Sequence, residues 1–348
     1  GAFRSLRVPG TETDFSSNDY LGIVRNDLLQ IPGVVKHGST GSRLLTGNSV
    51  EAGLLEDQIA AFHSASAALL FNSGYDANIG LLSSVIAKGE TVIYDFLSHA
   101  SIRDGIRLSN GTAFSFVHND LNDLERRLTN ATSETRQNIF VVTESVFSMD
   151  GDIAPLKEIA DLCDKYKAHL IVDEAHATGV AGPAGAGVIQ ELGIQDQCFA
   201  RVHTFGKAVG THGAVVLGSQ TLKDYLVNFS RALIYTTALP QSAIRAIAAS
   251  YQLFPAMEKE REHLSELISY FQQSKLRYKK LTSGTPIQAV IIPGNDAVKQ
   301  VSETLRNTGL DVRPILYPTV PKGSERLRII IHSFNTIEEL KTLVQHLI

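Results

Sequence analysis

Between about residues 90 and 219 the chain alternates short β-branched runs with amphipathic ones, and this alternation narrows its possible folds more than any other feature. "ETVIYD" (90–95), "TAFSFV" (112–117), "NIFVVTES" (138–145), "HLIVDEA" (169–175), "ARVHTF" (200–205) and "GAVVLGS" (213–219) read as strands. Segments 98–109, 120–129 and 155–167 lie between them with helical spacing, and 53–63 is an earlier helix leading into the sheet. Strand–helix alternation of this kind predicts an α/β fold with a mostly parallel, helix-covered sheet. Ligands of such sheets sit at the carboxyl ends of the strands.

A different pattern begins near Gln241. The stretch to Leu281 is helical, with Pro255 as a kink or break. Then come an apolar run at 286–294, a helix near 295–308, strands at 309–316 and 326–333, and a last helix over 337–347. Thr336 and Glu339 have capping-box spacing for that last helix. This block is a smaller α+β unit.

With 348 residues the chain exceeds the size at which one core stops growing, so two domains are expected. A 43% hydrophobic and 20% charged composition is that of a soluble globular protein. The formal charge of -4, with no basic run, gives nucleic-acid or membrane-surface binding no electrostatic support. Cys163 and Cys198 have neither CxxC nor metal-ligand spacing and read as reduced thiols in a cytosolic, cytoplasmic protein; no metal is expected. No apolar run reaches the roughly 18 residues of a membrane helix, and no signal peptide is visible in a chain that starts at Gly1.

Chemistry-bearing residues cluster at the predicted strand ends. In "HTFGKAVGTHGA" (203–214) Lys207 stands among glycines, where it could bind a phosphate, be solvated, or bond covalently to a carbonyl. "LIVDEAHATG" ends a strand in Asp173, followed by Glu174 and His176. A "DEAH" string suggests magnesium in a nucleotide hydrolase, but that chemistry needs GxxxxGK[ST], and here Arg201 and Ala208 occupy two of its required positions. The alternative is a carboxylate that keeps a pyridine nitrogen protonated, beside a lysine that holds the ring. Ser73-Gly74-Tyr75 is either a plain strand-to-helix turn or a helix N-terminus that binds phosphate. His99 in "SHAS" is either structural or a partner for a flat ring, and His176 and His203 share that ambiguity.

In order, "DFSSNDYLG" (14–22), "GSTGSRLLTGN" (38–48), "NSGYDAN", "LSHAS", "TESVFSMDGD" (143–152), "VDEAHATG" and "TFGKAVG" resemble the α-oxoamine synthases, pyridoxal-phosphate enzymes of fold type I. These condense an amino acid with an acyl thioester and release carbon dioxide. "LIYTTALP" (233–240) and "PTVPKGSERLR" (318–328) are most like the biotin-biosynthesis branch, which joins L-alanine to a pimeloyl thioester. Relatives that use serine or glycine with another acyl group are the alternative, followed by a non-catalytic subunit on the same fold.

The resemblance implies a segment 1–32 packing with the small domain, a large cofactor-binding domain over 33–240 and a small domain over 241–348. It implies that Lys207 holds pyridoxal phosphate covalently, that Asp173 pairs with the pyridine nitrogen, that His99 stacks on the ring and that His176 bonds its phenolic oxygen. Gly74, Tyr75, Ser148 and Thr204 would help hold the cofactor, mostly around its phosphate. Thr236 or Thr237 would reach the phosphate of a neighbouring subunit in a homodimer with shared active sites. Asn18 and Arg328 would bind the amino-acid carboxylate, and Arg4 the acyl substrate, carried on coenzyme A or acyl carrier protein. His332 stands where relatives carry Thr or Ser, near the acyl site.

Overall fold

The computed structural model describes residues 6, 8, 10–31, 33, 35–134 and 137–348; Arg4 lies outside the described residues. Two compact units emerge. One comprises Ile23–Val146 and Ala154–Ala256, the other the segment up to Gly22, Phe147–Ile153 and Met257–Ile348. A two-residue strand, β1 (Thr13–Asp14), belongs to the second.

The larger unit is built on seven strands: β2 (Ala67–Phe71), β3 (Thr91–Asp95), β4 (Thr112–Phe116), β5 (Ile139–Glu144), β6 (His169–Asp173), β7 (Cys198–Thr204) and β8 (Ala214–Gly218). Their order is β2-β8-β7-β6-β5-β3-β4. β3 to β7 run parallel, and β8 is antiparallel to both its neighbours. All five residues of β2 and all six of β5 are buried, as sheet strands covered on both faces require. β2 was not anticipated from sequence, because "AALLF" carries no period-2 alternation. Helix α1 (Val50–Phe62) leads into β2, and α2 (Gly74–Val85), α3 (Ala100–Leu108), α4 (Leu121–Glu134) and α5 (Leu156–Tyr166) join successive strands from β2 to β6. Gly105 lets α3 approach α2 closely, since a Cβ there would stand 2.9 Å from the Asn78 carbonyl. A helix at Gln220–Phe229 also escaped the sequence reading.

The helix Gln241–Leu253 stays with the larger unit, which corrects the expected boundary at residue 241. Its Ser250 hydroxyl donates to the Val209 carbonyl at 2.5 Å, and Tyr251 Oη lies 3.1 Å from His63 Nε2. The chain changes unit after the turn Phe254–Ala256, which contains Pro255.

His63 and His203 are fully buried with ring centroids 4.1 Å apart. Burial, aided by the charge of Arg201, holds His63 down at about 3, and burial pushes His203 well below its ordinary value. The unfolded chain therefore takes up protons below about pH 6.5 that the fold refuses. Stability is expected to fall as the pH drops from about 6.5 towards 3, by up to roughly 1.4 kcal/mol per pH unit for each such histidine. Urea midpoints measured from pH 7 to 4 check this, and His63→Gln is expected to flatten the slope.

In the smaller unit an antiparallel sheet has four strands: Lys279–Lys280, Ile287–Ile291, Arg313–Ile315 and Arg326–Ile330. The expected single strand at 309–316 is in fact two. Leu310–Asp311 pairs in parallel with β1, while Arg313–Ile315 joins the four-stranded sheet. The intervening Val312 turns its carbonyl to the Ser302 hydroxyl, 2.6 Å away. Thr336 and Glu339 form the capping box of the last helix, Ile337–Gln345. Phe147–Ile153 is fixed in this unit by Ser283 and Thr285, whose hydroxyls donate to the Gly151 carbonyl at 2.8 and 2.9 Å, and by an Arg326–Asp150 ion pair. Among the described residues no helix is long and apolar enough to cross a membrane.

Candidate active site

The parallel strands β3, β5, β6 and β7 end in Asp95, Glu144, Asp173 and Thr204, and the register sets Glu144 directly beside Asp173. Asp173 is buried; its Oδ1 accepts from the Ala175 amide at 2.9 Å and its Oδ2 from Asn78 Nδ2 at 2.7 Å. Lys207 follows β7 in a turn closed by the Gly210 amide, which donates to the Lys207 carbonyl at 2.8 Å. Gly210 takes the left-handed conformation (φ +66°) that such a turn favours in glycine. The Lys207 Nζ lies 2.9 Å from His176 Nε2.

His99 caps α3, its Nδ1 2.8 Å from the Ser101 hydroxyl. Asn78 donates to that same hydroxyl at 3.0 Å, so a continuous polar chain links His99, Ser101, Asn78 and Asp173. Burial lowers the His99 pKa; Asp173 opposes and Lys207 reinforces that shift. A neutral imidazole suits stacking on a flat ring. The His99 amide donates to Glu144 Oε1 at 2.6 Å. Burial, then the neighbouring Asp173, pushes Glu144 up to about 8.

The N-terminus of α2 belongs to the same unit. Ser73 caps it, accepting from the Asp76 amide at 3.0 Å, and the first-turn amides of Gly74 and Tyr75 have no intrahelical acceptor. A Cβ on Gly74 would stand 3.3 Å from Thr204 Oγ1, which donates to the Gly213 carbonyl at 3.3 Å. The Tyr75 side chain is partly exposed and donates to Asp104 at 2.7 Å. Thr236 Oγ1 and the Thr237 carbonyl both accept from Asn72, at 3.0 and 2.8 Å, just before the α2 cap. A Cβ on Gly206 would meet only the Thr211 carbonyl, at 3.8 Å, so the space over the lysine turn is open. An amine able to condense with an aldehyde, a carboxylate for a ring cation, a neutral imidazole and free helix amides for a phosphate together fit pyridoxal phosphate.

The smaller unit holds the remaining candidates. Arg328 donates from Nε to the Ser148 carbonyl at 2.7 Å and from Nη2 to Asn18 Oδ1 at 3.1 Å. Asn18 Oδ1 also accepts from Tyr20 at 3.2 Å. This fixes the plane of a guanidinium suited to a carboxylate. His332 is fully buried, bonded to Ser17 and Asn335 and stacked on Phe334 at 4.5 Å, so its ring is engaged within its own unit.

Sequence reasoning missed Asn78, Ser101 and Glu144. Asn78 was detectable as a polar residue on the apolar face of α2. Glu144 occupies the same strand-end position as Asp173, one strand away.

The family model for aminotransferase class I and II matches residues 11–347. The chain belongs to that family. Within it, the chain falls in the α-oxoamine synthase branch and has the fold-type-I architecture. It is 41% identical to the 8-amino-7-oxononanoate synthase of Emericella nidulans over 97% of its own length and 89% of that protein. It is similar to the 8-amino-7-oxononanoate synthase of Francisella tularensis, with a TM-score of 0.78 and 28% identity, covering 97% of this chain and 96% of that one. A serine palmitoyltransferase from S. paucimobilis, solved with bound PLP, superposes with a TM-score of 0.86 at 30% identity, covering 95% of this chain and 85% of that one.

Proposed function

We infer that this chain catalyses the decarboxylative condensation of L-alanine with a pimeloyl thioester, giving 8-amino-7-oxononanoate, carbon dioxide and free thiol, a step of biotin biosynthesis. Its cofactor is pyridoxal phosphate. The observation that carries this reading is 41% identity, across 97% of the chain, to an 8-amino-7-oxononanoate synthase.

Bound pyridoxal phosphate supplies an electron sink for negative charge at the α-carbon of alanine. Lys207 would anchor it, and the Lys207 amine, once the amine of alanine has displaced it, would take the α-proton, oriented by His176 at 2.9 Å. Asp173 keeps the ring nitrogen protonated, with Asn78 and the Ala175 amide holding its two oxygens. His99 would cover one ring face and His176 would also serve the phenolic oxygen. The Gly74 and Tyr75 amides, Thr204 and Ser148 hold the cofactor, chiefly at its phosphate. Arg328 and Asn18 would bind the alanine carboxylate; Arg4, expected at the acyl substrate, lies outside the described residues.

The enzyme works in the cytoplasm as a homodimer with shared sites, to which Thr236 or Thr237 of one subunit contributes the phosphate contact of the other. Leu45 and Val50 are each 80% exposed, Tyr235 72% and Leu54 63%, side chains that a partner subunit would cover. The acyl group arrives on coenzyme A or acyl carrier protein.

The likeness to serine palmitoyltransferase favours a second reading, in which serine replaces alanine and a longer acyl group the pimeloyl chain. Thiol release decides between them. Alanine, serine and glycine are offered in turn with pimeloyl, palmitoyl and acetyl thioesters. Alanine with the pimeloyl ester is expected to give the highest kcat/KM, by about tenfold or more, since one mismatched group in a pocket costs roughly 1–3 kcal/mol. Preference for another pair removes the pimeloyl assignment and leaves the family.

A further inference from the structure

Glu144 has no role in the reaction as described, yet it is fully enclosed at the centre of the site. It ends β5 directly beside Asp173 on β6, and its Oε1 accepts the His99 backbone amide at 2.6 Å. It thus touches the backbone of one proposed cofactor contact and flanks the carboxylate of another. We propose that Glu144 is a positioning residue of the cofactor site, fixing the start of α3 so that His99 keeps its place and setting how much negative charge the strand ends present to the ring. The inference rests on the functional reading above.

The electrostatics accord with the geometry. Asp173 from β6, Asp95 from β3, Lys207 from the turn after β7 and the His99 amide before α3 all act on this carboxyl. Burial and Asp173 dominate and push it up to about 8, so Glu144 carries its proton at neutral pH. Held in that state, Glu144 adds little negative charge beside Asp173 at the strand ends. Above about pH 8 the second charge appears, and the electrostatic environment of the ring changes with it.

Two variants of the full-length holoenzyme separate these roles. Glu144→Gln keeps an acceptor for the His99 amide and removes the titration. Glu144→Leu removes both. Each is read by the dissociation constant for pyridoxal phosphate and by the pH titration of the bound cofactor's absorbance. Glu144→Gln is expected to bind the cofactor within about threefold of wild type but to lose the component of the titration near pH 8. Glu144→Leu is expected to bind at least tenfold more weakly, with Glu144→Gln as its conservative rescue. An unchanged titration in Glu144→Gln overturns the charge role, and wild-type affinity in Glu144→Leu overturns the positioning role. If Glu144→Leu fails to fold, positioning is decided by Glu144→Asp, whose shorter side chain withdraws the acceptor from His99; wild-type affinity there overturns it. A wild-type protein that takes up no pyridoxal phosphate overturns the functional reading and this inference with it, an outcome distinct from indifferent variants of a protein that binds.

Discussion

A Lys207→Ala protein is expected to show no measurable thiol release and to lose its cofactor on dialysis, while its thermal unfolding stays close to that of cofactor-free wild type. Two losses combine. The covalent anchor goes, and so does the amine that moves the α-proton, a function worth about 10²–10⁴-fold alone. The fold has little stake in this side chain. The turn that carries it is closed by backbone, Gly210 to Lys207 and Thr211 to Phe205, both at 2.8 Å, and alanine leaves those bonds in place. Thiol-release assays, dialysis followed by cofactor quantitation, and a melting curve test each part. Retained turnover above a hundredth of wild type contradicts the assignment of Lys207.

Asp173→Asn is expected to fold, to bind pyridoxal phosphate more weakly and to lose roughly 10²–10³-fold in kcat. Removing one partner of a buried charge pair costs about 3–5 kcal/mol, and the paired group here is the ring cation. The substitution also disturbs the carboxylate's own surroundings. Both Asp173 oxygens accept hydrogen bonds, from Asn78 and from the Ala175 amide, and an asparagine must turn an NH₂ towards one of these donors. Single-turnover kinetics with alanine and the absorbance of the bound cofactor measure the effect. A rate within threefold of wild type shows that the ring nitrogen does not depend on this residue.

The two side chains behind these predictions were readable in the sequence because each ends or follows a strand with clear β-branched patterning. β3, β5, β6 and β7 were all placed within two residues at each end. β2 was not, since five consecutive apolar residues fit a buried helix as well as a buried strand. The supporting groups were less visible. Asn78 meets Asp173 across 95 residues, and Arg328 meets Ser148 across 180, and no local pattern encodes contacts of that range. The unit boundary failed for the same reason. Phe147–Ile153 leaves the larger unit and returns, and only long-range bonds to Ser283, Thr285 and Arg326 reveal where it belongs.

The pairing of β1 with Leu310–Asp311, together with the bonds from the Ile330 amide to the Phe15 carbonyl and from the Ser333 amide to that of Tyr20, has a consequence for biosynthesis. On the ribosome, every strand of the seven-stranded sheet has emerged long before Leu310. At roughly 5–20 residues per second, several seconds separate the two events. Throughout that interval Phe15 and Tyr20, both destined to be completely enclosed, lack the trailing segments to which their backbone carbonyls bond. The nascent chain must keep its leading aromatic residues from aggregating until its trailing strands appear. Truncation near the C-terminus therefore strands the beginning of the polypeptide as surely as its end.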